Sequence, residues 1–200
     1  MAKPRPVPGL DPDRRLRPNA RRILAVRIEE VYAYDGAIAD AENVAELHDM
    51  RIAFKRLRYL LEIFAVAFDA DLDPFVDEAK AMQDLLGEIH DRDVQVPALR
   101  DHLEWLEERE HLAARRAVAE AAAAQASGGR RRPSEAAFRR FREELEAGMR
   151  FDERVGVHAL IARRRRERRE LHARFLERWR RLKRDRFRAR LEDALGIARG

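Results

Sequence analysis

Cysteine is absent from the 200 residues. That excludes a disulfide framework, thiolate metal ligands and a cysteine nucleophile. No apolar run approaches the roughly 18 residues of a membrane span, so no membrane partner is expected. The N-terminal stretch lacks the apolar region of a secretory signal, and a cytoplasmic protein is expected. Glycine and proline are sparse, at nine and eight residues, and Pro4, Pro6, Pro8 and Pro12 make up half of the prolines. With few turn-formers beyond that point, and no strand pattern, helices are expected.

What is abundant is charge, at 40% of residues against about 25% in an average soluble domain. Hydrophobic residues still make up 46%, enough for a core and against general disorder. The charge is unevenly placed. Residues 163–190 hold 15 Arg/Lys and four Asp/Glu, whereas residues 69–111 hold 14 Asp/Glu and four Arg/Lys. Such a basic segment attracts a polyanion, or else the two segments neutralise each other within the protein.

Residues 1–17 read as a flexible tail rich in Pro and Arg, and 18–200 as a single domain. A first helix starts near Pro18 and Asn19, with Ile23, Val26, Ile28, Val31 and Tyr34 roughly at helical spacing, and ends near 36–41. The second helix carries the clearest pattern. Leu47, Met50, Phe54, Leu57, Leu61, Phe64 and Phe68 alternate three and four apart, so this stripe faces a core. Residues 69–74 break the helix, and a third begins near Asp73 and Pro74, with Phe75, Ala79, Met82, Leu85, Leu86 and Ile89 inward. Gly87 and residues 90–93 are expected to interrupt it. Asp93 is then the cap of a fourth helix through Val94, Leu99, Leu103 and Leu106, with Pro97 in its first turn. Residues 127–133 read as a loop, Ser134 as a cap and 148–156 as a second break. From Val157 to about Leu195 the chain reads as helical, with Leu171, Phe175, Trp179 and Leu182 inward. Trp105 is expected in the core or at its edge. The fold class is all-α, a bundle of five to seven helices with a basic groove or cavity.

One position along from the core stripe of the second helix stand His48, Arg51, Lys55 and Arg58. They lie at i, i+3, i+7 and i+10, a continuous row over about 15 Å of helix. Arg56 and Tyr59 flank it. The row adjoins buried residues and so borders a groove between helices. Its like charges repel unless an anion or the acidic segment neutralises them; the plainer reading is long cationic side chains on a half-exposed helix. Arg163, Arg166, Arg169 and His172 form a second row at spacings of three.

The run His48-Asp-Met-Arg51-Ile-Ala-Phe-Lys55-Arg56-Leu-Arg58-Tyr59 resembles the signature helix of the CHAD family, the histidine-containing α-helical domains. A second piece, Gln83-Asp84-Leu-Leu-Gly87-Glu-Ile-His90-Asp91-Arg-Asp93, is similar to the family's L-G-x-x-x-D turn. The resemblance covers about residues 20–105. It implies a helical bundle with a basic cavity that binds inorganic polyphosphate, and association with polyphosphate granules. Family members typically carry two related halves, each with a signature helix, and this chain shows one. Either the basic helix at 163–184 supplies the second wall, or two chains meet as a homodimer.

Polyphosphate is a repeating anion without bases or apolar edges. A row of cations suits it, because Arg donates in forks to phosphate oxygens and Lys offers a compact charge. No aromatic residues interleave the basic rows to stack bases, which places a nucleic-acid partner held by its phosphate backbone second. No enzyme is expected. The triphosphatase domains often joined to CHAD domains use an E-x-E-x-K strand motif; here Glu108-Arg-Glu110 is followed by Leu112 at the Lys place, on a helix. His90, Asp91 and Asp93 read as turn and cap residues rather than metal ligands. Gly87 reads as a close helix contact, not a phosphate loop. No cofactor and no nucleophile–base set is expected.

Overall fold

The computed structural model describes residues 3–127, 139 and 151–197. Among them are five α-helices: α1 (Leu16–Tyr32), α2 (Val44–Phe64), α3 (Asp73–Ser127), α4 (Phe151–Arg184) and α5 (Phe187–Leu195). A short 3-10 turn, Ala65–Ala67, follows α2, and no strand occurs among the described residues. The all-α class and the number of helices agree with expectation. Apart from Ser127, the last residue of α3, the loop expected to Pro133 lies outside the described residues, as do the cap at Ser134 and the break at Gly148. The chain divides into two compact units, one of residues 1–93 and 166–200 and one of 94–165.

The first unit holds the main core. On α2, Leu47, Met50, Ala53, Phe54, Leu57 and Leu61 are buried, and Phe68 beyond it is buried too. Phe64 is half-buried. The heptad-like stripe is thus the inward face, as its spacing requires. From α3 come Ala79, Met82, Leu85, Leu86 and Ile89, and from α4 Leu171, Phe175, Trp179 and Leu182. Phe187, Leu191 and Leu195 of α5 close the same cluster. Fully burying one such side chain contributes about 1.5–3 kcal/mol.

On α1 the inward residues are Ala20, Leu24, Ile28 and Val31, while Ile23 and Val26 are only half-buried. The face is therefore rotated from the expected one, and it includes a buried ion pair between Arg27 and Glu30. That pair also fixes the chain before the helix: Arg27 Nη2 donates to the carbonyl of Arg5, and the Arg5 amide donates to Glu30 Oε1. The Asn19 side chain exchanges hydrogen bonds with the Asp11 backbone. Residues of the expected tail are thus tied to α1 at two places.

The interruption expected at Gly87 and 90–93 does not occur: α3 runs unbroken from Asp73 to Ser127, with Pro97 inside it. A proline there removes one backbone hydrogen bond and costs about 3 kcal/mol. The helix nevertheless continues, with Ile89 and Val96 buried on either side of the supposed break. Asp93 is no cap. Its carboxylate accepts from Arg168 Nε, and Arg168 Nη2 also holds the carbonyl of Ala41 at 2.7 Å. Gly156, expected in a break, lies within α4.

The break after Arg184 was not foreseen. Arg186 takes a left-handed conformation at φ 53° and turns the chain into α5. Helix α5 ends at Gly196, whose φ of 65° favours glycine. The amides of Gly196 and Ile197 bond back to the carbonyls of Asp193 and Glu192, closing the helix end. Arg21 of α1 caps the same end, its Nε donating to the Leu195 carbonyl at 2.7 Å.

In the second unit, Val96, Leu106 and Ile161 are the buried apolar residues among those described. Arg154 pairs with Glu110 at 3.1 Å. Leu99 and Leu103 are half-buried, whereas Val94 is exposed. Trp105, expected in or beside the core, is 48% exposed. The ring of His102 stacks on it at 5.5 Å and the guanidinium of Arg109 covers it at 4.6 Å.

Candidate anion-binding site

The row on α2 keeps its expected place beside the buried stripe. His48, Arg51, Arg56 and Arg58 are half-buried, and Lys55 is exposed. Their position follows from the helix: each lies next to an inward residue, so its stem packs and its charged end reaches outward. Lys55 and Arg58 share the face of Tyr59, with Nζ 6.0 Å and the guanidinium 4.4 Å from the ring centroid. That contact aligns the two cations on one side of the helix. Arg58 also meets Glu62 at 3.5 Å. The Glu62 side chain is well exposed, so this pair holds Arg58 weakly, at about 0–1 kcal/mol.

Arg51 crosses to α3. A β-carbon on Gly87 would lie 3.5 Å from Arg51 Nε. Among the described residues Arg51 has no carboxylate within ion-pair distance, and its buried Nε has no hydrogen-bond acceptor. Packing against α3, not a salt bridge, therefore sets this guanidinium in place. Gly87 is the close helix contact its sequence context suggested, although it sits within a helix rather than at a turn.

His48 meets α3 one turn further on. Its ring lies against that of His90, with centroids 4.6 Å apart. The imidazole pKa of His48 is lowered by burial, then by the neighbouring His90 and Arg51, with Asp49 acting in the opposite direction. The uncharged form is therefore favoured at neutral pH in the unliganded protein. His90, read from the sequence as a turn residue, is instead a helical neighbour of the row.

The second row does not stay together. Arg166 and Arg169 are exposed on α4, and Arg166 lies 3.9 Å from Glu170 on the same helix. Arg163, also exposed, belongs to the second unit. His172 must be removed from the candidate site: it is buried, and its Nε2 makes a 2.9 Å hydrogen bond with the carbonyl of Ile38. Spacing of three drifts around a 3.6-residue helix, so a run of this kind passes from the outer face to the core.

The acidic segment neutralises part of the basic helix. Arg168 pairs with Asp93, Arg178 with Glu78 at 2.8 Å, and Arg92 with Glu167 at 3.4 Å. Asp84 is exposed and makes no ion pair among the described residues. No group of three His, Asp or Glu side chains among the described residues is placed to hold a metal ion. Sequence spacing missed a pocket of about 240 Å³ lined by Arg174, Arg178, Arg181, Arg184, Glu177 and Leu85. Only the abundance of arginine in this helix hinted at it.

The family model described as CHAD domain matches residues 2–100. That range includes the whole row on α2 together with Gly87 and His90. No curated protein and no solved structure matches the chain.

Proposed function

Because this chain belongs to the CHAD family through residues 2–100, we propose that it binds inorganic polyphosphate along the row His48, Arg51, Lys55, Arg56 and Arg58. The CHAD domain is associated with polyphosphate binding in general and is not a known catalytic family. The observation that carries the assignment is the alignment of Arg51, Lys55 and Arg58 beside the core of α2, with no carboxylate holding Arg51 or Lys55 among the described residues. Three cations at this spacing engage successive phosphoryl groups of one chain, and each added contact strengthens the next through effective concentration. His48 adds a fourth donor once the bound anion favours its protonation. The role is binding without turnover, and granule association is the cellular consequence we propose. No described helix is long and apolar enough to cross a membrane.

The second wall of the groove is proposed to come from a second chain. Gly87 faces Arg51, whereas Leu85 faces the arginines of α4. Leu85 and Gly87 are two positions apart, about 200° around the helix, so Arg174, Arg178, Arg181 and Arg184 border the opposite edge of α3. In a twofold pair the two α2 rows repel, and an anion that binds both strengthens the pair. Sedimentation with and without short oligophosphates tests this: the ligand is expected to raise the two-chain fraction, and one-chain mass in both conditions removes the pair.

Competition between polyphosphate and duplex DNA at matched charge and salt tests the ligand. Polyphosphate is expected to displace DNA. The reverse order would place the phosphate backbone of nucleic acid first.

A further inference from the structure

The pocket on the other edge of α3 carries its own chemistry. Arg174, Arg178, Arg181 and Arg184 stand at i, i+4, i+7 and i+10 of α4, so they share one face of the helix. Together with Glu177 and the buried Leu85 they line a half-open hollow of about 240 Å³. Arg178 is engaged, donating from Nε at 3.1 Å and Nη2 at 2.8 Å to Glu78 Oε2. Arg174, Arg181 and Arg184 are exposed, and among the described residues none of them makes an ion pair or a side-chain hydrogen bond. Guanidiniums gathered around one hollow repel; Glu177 is the carboxylate lining it with them, and Glu78 pairs with Arg178.

We propose that this pocket is a second anion site, separate from the α2 row, that takes a phosphate-bearing anion of one to a few phosphoryl groups. Several guanidiniums approaching from one side suit a phosphoryl group, which offers three oxygens in different directions; a carboxylate satisfies a single fork. The volume of about 240 Å³ falls below the roughly 300–1,000 Å³ of sites for drug-sized ligands, which suits a small anion. Glu78 competes with the ligand for Arg178. The same chemistry is offered by a free short oligophosphate and by the end of a long polyphosphate chain.

The test is calorimetric titration with tripolyphosphate of the intact chain and its variants, alone and combined. Replacing Arg174, Arg181 and Arg184 together with Gln is expected to weaken tripolyphosphate binding by at least about tenfold, since one hydrogen bond to a charged group contributes about 1.5–3 kcal/mol. Replacing Arg51, Lys55 and Arg58 with Gln is expected to remove the α2 row's own contribution and to leave the loss caused by the α4 replacements unchanged within about twofold, since effects at distant sites add. Glu78→Gln, which frees Arg178, is expected to tighten binding. Unchanged affinity in the α4 variant, or an α4 loss that disappears once the α2 row is neutralised, overturns the separate site without touching the long-chain reading. Weaker binding in Glu78→Gln overturns it as well. Titration with two lengths of long-chain polyphosphate distinguishes the sources. For an end-binding pocket, the contribution lost in the α4 variant follows the concentration of chain ends. For a pocket limited to free oligophosphate, the α4 variant binds long chains as the parent does.

Discussion

Arg51 lies over Gly87 at a distance where a β-carbon would make ordinary contact, 3.5 Å from Nε. Two consequences follow from one geometry. Alanine fits at position 87, and any larger side chain must move Arg51. Gly87→Ala is expected to stabilise the protein by about 0.5–1 kcal/mol, the penalty of glycine in a helix interior, with polyphosphate affinity unchanged. Gly87→Leu is expected to weaken polyphosphate binding by displacing the guanidinium. Denaturant unfolding and titration of both variants check this; equal binding in Gly87→Leu would separate Arg51 from the site.

The α2 row is expected to govern the salt dependence of long-chain binding. Neutralising Arg51, Lys55 and Arg58 together should weaken binding and flatten the log–log salt slope by about 2, from the coefficient of about 0.7 per phosphate contact on single strands. Stability should change little, because the buried stripe from Leu47 to Leu61 is untouched and the Arg58–Glu62 pair is exposed on one side. A salt series on parent and variant measures the slope. An unchanged slope would place the contacts elsewhere.

His48 should make binding pH-dependent. Burial, His90 and Arg51 lower its pKa against the opposing Asp49, so the free protein holds it uncharged. The bound polyanion favours its charged form, so binding takes up a proton and strengthens as pH falls from 8 to 6. His48→Ala should therefore weaken binding more at pH 6 than at pH 8. In the absence of ligand the sign for folding is opposite to that for binding. The unfolded chain binds the proton more readily, so His48 makes folding stability fall as pH drops through the ordinary imidazole range near 6.5. Calorimetry in buffers of different ionisation enthalpy counts the protons, and no uptake would contradict the assignment.

Asp35 joins the turn after α1 to α4. Trp179 Nε1 donates to Asp35 Oδ1 at 2.6 Å, and Lys183 Nζ lies 2.8 Å from the same oxygen. Burial pushes the Asp35 pKa up, but the hydrogen bonds from Lys183 and Trp179, with the Lys183 charge, together hold it below its ordinary value. A lowered carboxylate contributes stability that is present above the unfolded-state pKa and is lost as pH falls through the folded one. Both Asp35 and Lys183 are substantially exposed, so their ion pair contributes little. The larger cost in Asp35→Ala is the indole donor of buried Trp179 left without its partner, about 1–3 kcal/mol at neutral pH. The loss should shrink toward acid pH, which unfolding curves at two pH values will show.

The parts of the fold that were legible in the sequence are those where one helix face repeats without interruption. The stripe from Leu47 to Leu61 and the set Leu171, Phe175, Trp179 and Leu182 are buried as their spacing implies. Local punctuation misled at α3. Gly87, Asp93 and Pro97 each carry a turn or cap signal, yet Gly87 meets an arginine from α2 and Asp93 an arginine from α4. Those partners are 36 and 75 residues away in sequence, and no local pattern contains them. The α2 row was legible because it neighbours a strict core stripe. The α4 pocket was not, because which arginines stay unpaired depends on which reach Glu78 or Asp93. His172 illustrates the same limit: only the fold brings it to the carbonyl of Ile38.

The most direct measurement is a calorimetric titration of the intact chain with long-chain polyphosphate across a salt series, against duplex DNA and pyrophosphate. The expected result is binding that prefers long chains over pyrophosphate, exceeds DNA at matched charge and weakens steeply as salt rises. Absence of detectable binding at about 50 mM salt, where phosphate contacts are strong, would contradict polyphosphate binding by this chain.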